Sequence, residues 1–358
     1  ITDTLEVTLA ARYENYKGLG DTFNPKAAVR WQALDWLAFR GSVGTTYRAP
    51  LATLTTDSFQ RALTNASGTY RANDLFGNPD LKPETADTYD VGMIFEHGPF
   101  SATVDYWNFK FKKQLTTIAT ADLLNVMFPL VNGARSTANC ANPDYNNVRA
   151  RLTFAGSNSI ADCQGGLANI LSYRTQYING GDINTDGIDF QANLDLGDID
   201  LIHGRLQLGF DGTYLLHYKE DPYEIDGFST GARVERAGTY RASIFTGYNK
   251  LRANAYVNYS SGRHNLRWQI RHVSSTTQTE ANSIAIAAQV HGSTKIGEYW
   301  QHDITYTAQL PWDSTATLAV LNLFDKDPPF AIGTQYNYDP GSGSPLGRVI
   351  TVGLKKRF

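Results

Sequence analysis

The chain has 358 residues, a formal net charge of −3 and 19% charged side chains. That balance supplies no basic surface for nucleic acid, and the charge content lies below the rough quarter usual in soluble domains. Tyr (20), Phe (17) and Gly (31) are plentiful and Met (2) is scarce, a composition that suits sheet better than helix.

Mean hydropathy is −0.35. No apolar run approaches the roughly 20 residues of a membrane helix, which excludes a helical membrane protein. A membrane β-barrel stays open, because its strands alternate and average out on a hydropathy scale. No leader opens the chain, and "ITDTLEVTLAARYENY" passes almost at once into strand. The expectation is a removed leader or a piece of a longer protein.

In chain order, strands are predicted near 4–14, 24–33, 37–47, 86–97, 100–113, 180–196, 204–216, 235–249, 251–263, 296–310, 315–322 and 347–358. Alternation is the signal. Tyr89, Val91, Met93 and Phe95 oppose Thr88, Asp90, Gly92 and Glu96. Leu206, Leu208, Phe210 and Tyr214 oppose Arg205, Gln207, Asp211 and Thr213. Leu251, Ala253, Ala255, Val257 and Tyr259 oppose Arg252, Asn254, Tyr256 and Asn258, and Ile304, Tyr306, Ala308 and Leu310 oppose Asp303, Thr305, Thr307 and Gln309. No useful helix, repeat or second domain is predicted.

The links alternate in length. "QALDW", "EHGP", "GDIDLIH", "NK" and "PWDS" are short, whereas 48–85, 114–179, 217–234, 264–295 and 323–346 are long. Short turns on one rim and long loops on the other are the asymmetry of outer-membrane barrels. The last strand puts Ile350, Val352, Leu354 and Phe358 on one face with Lys356, which can snorkel. Cys140 and Cys163 share one polar segment, and a disulfide between them is expected, which implies a compartment outside the cytosol.

Several motifs carry a family resemblance. Tyr47-Arg48-Ala49-Pro50 ends a strand; Gly77, Asn78, Pro79, Leu81, Pro83 and Glu84 lead into the next; Asn322-Leu323-Phe324-Asp325 closes a later one; Phe358 ends the chain. In order and spacing they resemble the barrel of TonB-dependent outer-membrane receptors, with Tyr47 for the usual Phe. Pro79 and Pro83 lack donors and cannot pair as strand, and Asn78 and Asp80 favour a turn. Glu84 and Thr85 can bond nearby backbone groups. The stretch is read as a rigid corner rather than a ligand site.

The resemblance implies an all-β, antiparallel transmembrane barrel of about 22 strands with an N-terminal plug. This chain would be its C-terminal part, about twelve strands, as one partial domain over 1–358, with no plug. A complete twelve-stranded barrel is the rival. The implied function is TonB-dependent active uptake of a scarce solute, foremost an iron–siderophore complex, in a bacterial outer membrane. The implied partners are TonB with ExbB and ExbD, outer-membrane lipid, and a small-molecule or oligomeric solute. A passive porin or other barrel without TonB coupling is the alternative, and a soluble secreted sandwich is weaker still.

Solute contacts are expected in the long loops, at Tyr70, Arg71, Arg135, Tyr173, Arg174, Tyr223, Trp268, Arg271, Tyr336 and Tyr338, because Tyr and Trp offer stacking area and Arg a forked donor. Plug-facing lumen residues are expected at Arg205, Asp211, Arg241 and Asp303. Asp182, Asn184, Asp186 and Gly187 begin like a calcium loop, but Asn193 stands where the final Glu is needed, so a loop running into a strand at Gly187, with Asp189 facing the lumen, is expected. "GSGSPLG" at 341–347 reads as a loop tip. His97, His264, His272 and His302 are scattered, with His264 and His272 placed in one long loop. No enzyme signature, metal or cofactor is expected.

Overall fold

The computed structural model describes residues 3–16, 20–65, 69–244, 246–333 and 336–357. Twelve strands form one antiparallel sheet in chain order: β1 (Leu5–Tyr16), β2 (Gly20–Leu34), β3 (Leu37–Arg48), β4 (Glu84–His97), β5 (Phe100–Lys112), β6 (Ile183–Ile199), β7 (Gly204–Glu220), β8 (Leu251–Ser261), β9 (His264–Val273), β10 (Tyr299–Leu310), β11 (Ser314–Leu321) and β12 (Val349–Lys356). A two-residue strand, Val234–Glu235, adds to the end of β7. Among the described residues no pairing joins β1 to β12, so the sheet is an arc with two free edges.

Register converts alternation into two surfaces, because residues opposite one another on paired strands share a face. One row runs Phe39, Met93, Val104, Phe190, Gly212 and Ala253. The adjacent row runs Arg40, Gly92, Asp105, Asp189, Thr213 and Arg252. The polar row lines a concave cavity of about 550 Å³ with Asp211, Asn254 and Arg271. The apolar face is convex and exposed over much of its extent: in this row Phe39 is 39% exposed, Met93 43% and Val104 38%, and Ala253 alone is buried. A water-soluble sandwich would pack such faces against each other. Here they make the outward band of a membrane barrel.

Gly92 is fixed by the polar row. Arg40 reaches over it to Asp105, with Nε–Oδ1 2.6 Å and Nη2–Oδ2 2.5 Å. A Cβ on Gly92 would lie 1.9 Å from Asp105 Oδ1. The glycine therefore leaves the gap through which two strands, not nearest neighbours, share an ion pair.

Tight turns occupy one rim, with Gly98 (φ 57°), His203 (φ 52°), Gly262 (φ 52°), Trp312 (φ 60°) and Asp313 (φ 52°) in left-handed backbone. Residues 49–83, 113–182, 221–250, 274–298 and 322–348 form five long loops at the other rim. The count of twelve strands matches the sequence reading, but one member differs. The expected strand over 235–249 is broken into short pieces within the third loop, and "NK" is no rim turn. Residues 264–273, read as loop, form β9 instead. Its outward His264, Leu266, Trp268, Ile270 and His272 alternate with Asn265, Arg267, Gln269 and Arg271, and the outward histidines blur the apolar period. Helices were also not foreseen; the longest among the described residues are Thr120–Met127 and Ala281–His291. The calcium-like stretch is strand from Ile183, four residues before Gly187. Asp189 faces the lumen and accepts from Thr213 Oγ1 at 2.7 Å.

Gly92→Val should push Asp105 from Arg40 and destabilise the sheet by about 1–3 kcal/mol, the usual scale of overpacking. Gly353→Val, with nothing within 4 Å of its Cβ, should change little. Denaturant midpoints of the two refolded variants decide; equal midpoints would refute the bridge as a packing constraint.

Candidate solute-binding site

The first two outer loops fold as one body. Strands Phe59–Asn65 and Tyr70–Phe76 come from the first loop; Leu115–Thr117, Leu152–Phe154 and Ile170–Asn179 come from the second. They form a five-stranded sheet joined by parallel pairing of Ile170–Asn179 with Tyr70–Phe76. Helix Thr120–Met127 turns Leu123, Leu124 and Met127 inward, onto Phe128, Val148, Leu152, Phe154 and Ile170. The expected disulfide is present: Cys140 and Cys163, 23 residues apart, are bonded at 2.03 Å inside this core. A hairpin of the third loop adds Ile225 to the core and packs Phe228 on it.

The Gly-Asn-Pro corner holds this body to the barrel wall. A Cβ on Gly77 would fall 1.9 Å from the Thr56 carbonyl oxygen. Asn78 Oδ1 accepts from the Asp80 amide at 2.9 Å, and Asn78 Nδ2 donates to the Tyr177 carbonyl at 2.9 Å. Leu81 is buried, and the Lys82 amide donates to Asn179 Oδ1 at 2.8 Å. Residues 77–83 pair in no ladder, and β4 begins at Glu84. Glu84 Oε2 accepts from Arg48 Nη2 at 2.7 Å and from the Leu115 amide at 2.9 Å. Arg48 and Glu84 are thus a joint between β3, β4 and the second loop. Tyr47 packs its ring 5.3 Å from that of Tyr16, Ala49 is half-buried, and Pro50 is buried.

The Asn322-Leu323-Phe324-Asp325 turn has a similar logic. Asn322 and Asp325 take left-handed backbone, φ 53° and 54°, which Asn and Asp tolerate better than most residues. Asn322 Oδ1 accepts from the Lys326 amide at 2.8 Å, and Asp325 Oδ1 accepts from the Arg348 amide at 2.7 Å. The Leu323 amide donates to the His302 carbonyl at 2.7 Å, and Phe324 lies edge-on to the His302 ring at 4.9 Å. Phe358 lies outside the described residues.

The sequence candidates separate. Tyr70 and Arg174 share the exposed face of the five-stranded sheet. Arg174 lies over the Phe76 ring at 4.4 Å, and Phe76 is 5.3 Å from Phe59. Arg61 and Asp74 pair on the same face at 2.6 Å. Phe59, Arg61 and Phe76 were missed because 48–85 was read as loop, although "FQRALTN" alternates visibly. Tyr336 and Tyr338 lie together in the fifth loop, rings 5.7 Å apart.

The other candidates face elsewhere. Tyr173 is 1% exposed in the core and presents no surface to a solute. Arg71 Nε donates to the Ile170 carbonyl at 2.6 Å, fastening the two loops. Arg135 Nη1 donates to Asn125 Oδ1 and the Phe128 carbonyl, both at 2.8 Å. Tyr223 donates to Asp122 Oδ2 at 2.9 Å and accepts from the Ala119 amide at 3.0 Å. Trp268 and Arg271 are not loop residues: Trp268 is outward on β9, its ring 5.7 Å from His302, and Arg271 is inward, bonded to Gln301.

Among the lumen residues, Asp211 accepts from Asn254 Nδ2 at 2.9 Å, Arg205 pairs with Asp195, and Asp303 Oδ1 accepts from the Asn322 amide at 2.8 Å. Arg241 is not on the barrel wall. It lies in a short strand of the third loop, 3.4 Å from Glu220, which also binds Arg236 at 2.7 Å. His264 and His272 belong to β9, outward, and His272 contacts Glu298 at 3.2 Å. In 341–347, Ser342 and Gly343 are buried rather than at a tip.

A family model for TonB-dependent receptor-like β-barrels matches residues 1–323. The chain belongs to the TonB-dependent receptor β-barrel family. The siderophore receptor PirA of Acinetobacter baumannii shares the fold with a TM-score of 0.64 at 15% identity, over 100% of this chain and 44% of that one. The ferric enterobactin receptor PfeA of Pseudomonas aeruginosa has a TM-score of 0.62 at 15% identity, over 99% and 43%. In sequence, an iron-regulated outer membrane virulence protein of Vibrio cholerae is 28% identical over 121 residues, 33% of this chain and 17% of that protein. A hemin receptor of Yersinia enterocolitica is 24% identical over 191 residues, 49% of this chain and 25% of the receptor. The chain thus spans less than half the length of these proteins.

Two outcomes test the outer body. Cys140→Ala with Cys163→Ala should cost it about 3 kcal/mol in the chain-entropy view, read as faster protease cleavage within 113–182 while the barrel stays intact. Unchanged cleavage would place the stability elsewhere. Burial raises the Asp122 carboxyl above its ordinary 3.8, against the lowering by the Tyr223 hydrogen bond. The folded body then holds a proton longer than the unfolded chain, so its stability falls as pH rises past that value. Amide exchange of 120–127 should show that fall, and Asp122→Asn should flatten it; an opposite slope contradicts the burial account.

Proposed function

We propose that this chain is a single partial domain, 1–358, forming the C-terminal arc of an outer-membrane receptor for TonB-dependent uptake of an iron chelate, foremost a ferric siderophore. The observation that carries the reading is the family match over 1–323 on an arc with apolar outer and polar inner faces. The solute binds without bond-making at the outer loops, where Tyr70, Arg174, Tyr336 and Tyr338 offer rings and one guanidinium. Relatives named for siderophores, ferric enterobactin and hemin support iron-chelate traffic.

The rest of the receptor would supply the plug and the remaining strands. Open strand edges leave backbone groups unpaired, which hydrocarbon does not tolerate. This weighs against a complete twelve-stranded porin. The plug would meet the lumen wall through charges whose partners, among the described residues, are neutral. Asp189 with Thr213, Asp211 with Asn254, and Arg271 with Gln301 are the nearest examples. Arg205 faces the same lumen but is paired with Asp195, whereas Asp303 accepts only from the neutral Asn322 amide and Gln301 Nε2 among the described residues. TonB, energised through ExbB and ExbD, would pull on the plug, and outer-membrane lipid would cover the convex face.

Deleting the gene should abolish iron-limited growth on one ferric chelate, and radiolabelled iron uptake should stop when TonB is deleted or the proton gradient collapsed. Uptake that persists without TonB would sink the coupling, and unchanged growth on every ferric siderophore and hemin would sink the substrate class.

A further inference from the structure

The five-stranded outer sheet ends at the strand Phe59–Asn65, and among the described residues nothing pairs with its far side. Phe59 through Leu63 are exposed at every position, with Phe59 at 52% and Leu63 at 72%. Proteins protect such edges with charge, proline, bulges or a covering element, because the free N–H and C=O groups are a template for another strand. "FQRALTN" has none of these. It lacks proline, its register with Tyr70–Phe76 is unbroken, and Arg61 is neutralised by Asp74, with Nε–Oδ1 2.6 Å and Nη2–Oδ2 2.8 Å.

The loops of this arc show how such edges are covered. The first and second loops join by parallel pairing of Tyr70–Phe76 with Ile170–Asn179. The third and fourth join by parallel pairing of Thr239–Arg241 with Thr276–Gln278. Strand exchange between loops is therefore the building rule of this rim, and the edge at Phe59–Asn65 is an unused half of one such joint. The chain covers 44% of a solved receptor of the same fold, so more than half of such a receptor's length lies outside it.

We propose that Phe59–Asn65 receives a β-strand from an outer loop of the receptor half that this chain does not include, so that loops of both halves form one continuous roof over the lumen. The inference rests on the reading of the chain as part of a longer receptor. The incoming strand should be mostly uncharged, since Arg61 already has its carboxylate, and should set apolar side chains beside Phe59 and Leu63. Backbone bonds would hold it, with those two side chains fixing its register.

Amide exchange on the full-length receptor, solute-free and in detergent, tests this. Amides of 59–65 that face Tyr70–Phe76 are slow in any case. The alternate amides, on the open side, are decisive. They should exchange about 100-fold or more slower than unstructured chain. A photoreactive residue at Gln60 should cross-link to a peptide that precedes this chain in the same polypeptide. Fast exchange of the alternate amides overturns the proposal. So does protection that appears only with added solute or a second protein, or a cross-link to a second copy. Were the full gene to encode no further barrel strands, the reading of the chain as an arc would fall instead, which its length alone reveals.

Discussion

The whole arrangement depends on backbone hydrogen bonding where no water is at hand. In hydrocarbon an unpaired N–H or C=O costs several kcal/mol, so the chain crosses only as paired strands. Unbroken antiparallel pairing from β1 to β12 meets that demand along the arc. It also forces each side chain onto one of two faces. Apolar Phe39, Met93, Val104 and Phe190 on the convex face and Arg40, Asp105 and Asp189 on the concave face are consequences of the same ladder.

That constraint ends at the rim. Beyond it the chain is free of the bilayer and folds as water-soluble proteins do, around buried Leu123, Leu124, Phe154 and Tyr173. Among the described residues the second loop supplies 13 buried side chains of one cluster, to which the third loop adds Ile225, and a disulfide lies within it. The residues that carry the family resemblance in the sequence are the joints between these two regimes. Asn78 turns the chain and bonds the Tyr177 carbonyl; Glu84 ties Arg48 to the Leu115 amide; Asn322 adopts the left-handed backbone that ends β11. They fasten the outer loops to the barrel wall.

The barrel was legible in the sequence because its code is local: two faces, a period of two, turn residues at fixed places. Where the outward face also carries polar rings, as at His264 and His272 of β9, the period faded and the strand was read as loop. Around Tyr240 the reverse occurred, since "TYRASIFTGYN" alternates well but pairs with another loop, not with the wall. The site was far less legible. Whether a loop tyrosine meets solvent depends on contacts distant in sequence: Tyr70 is exposed and Tyr173 enclosed, though their strands are adjacent. Arg71 and Arg174 have the same chemistry and opposite fates, because one points at the Ile170 carbonyl and the other lies on Phe76.

The central claim is that the side chains of neighbouring positions 90 and 91 see different media. Single spin labels at Asp90 and Val91 of the full-length receptor in lipid vesicles measure this through collision with oxygen and with a water-soluble nickel chelate. The account predicts a higher oxygen-to-nickel ratio at 91 than at 90, as lipid contact requires. Equal ratios, or a higher ratio at 90, would contradict it.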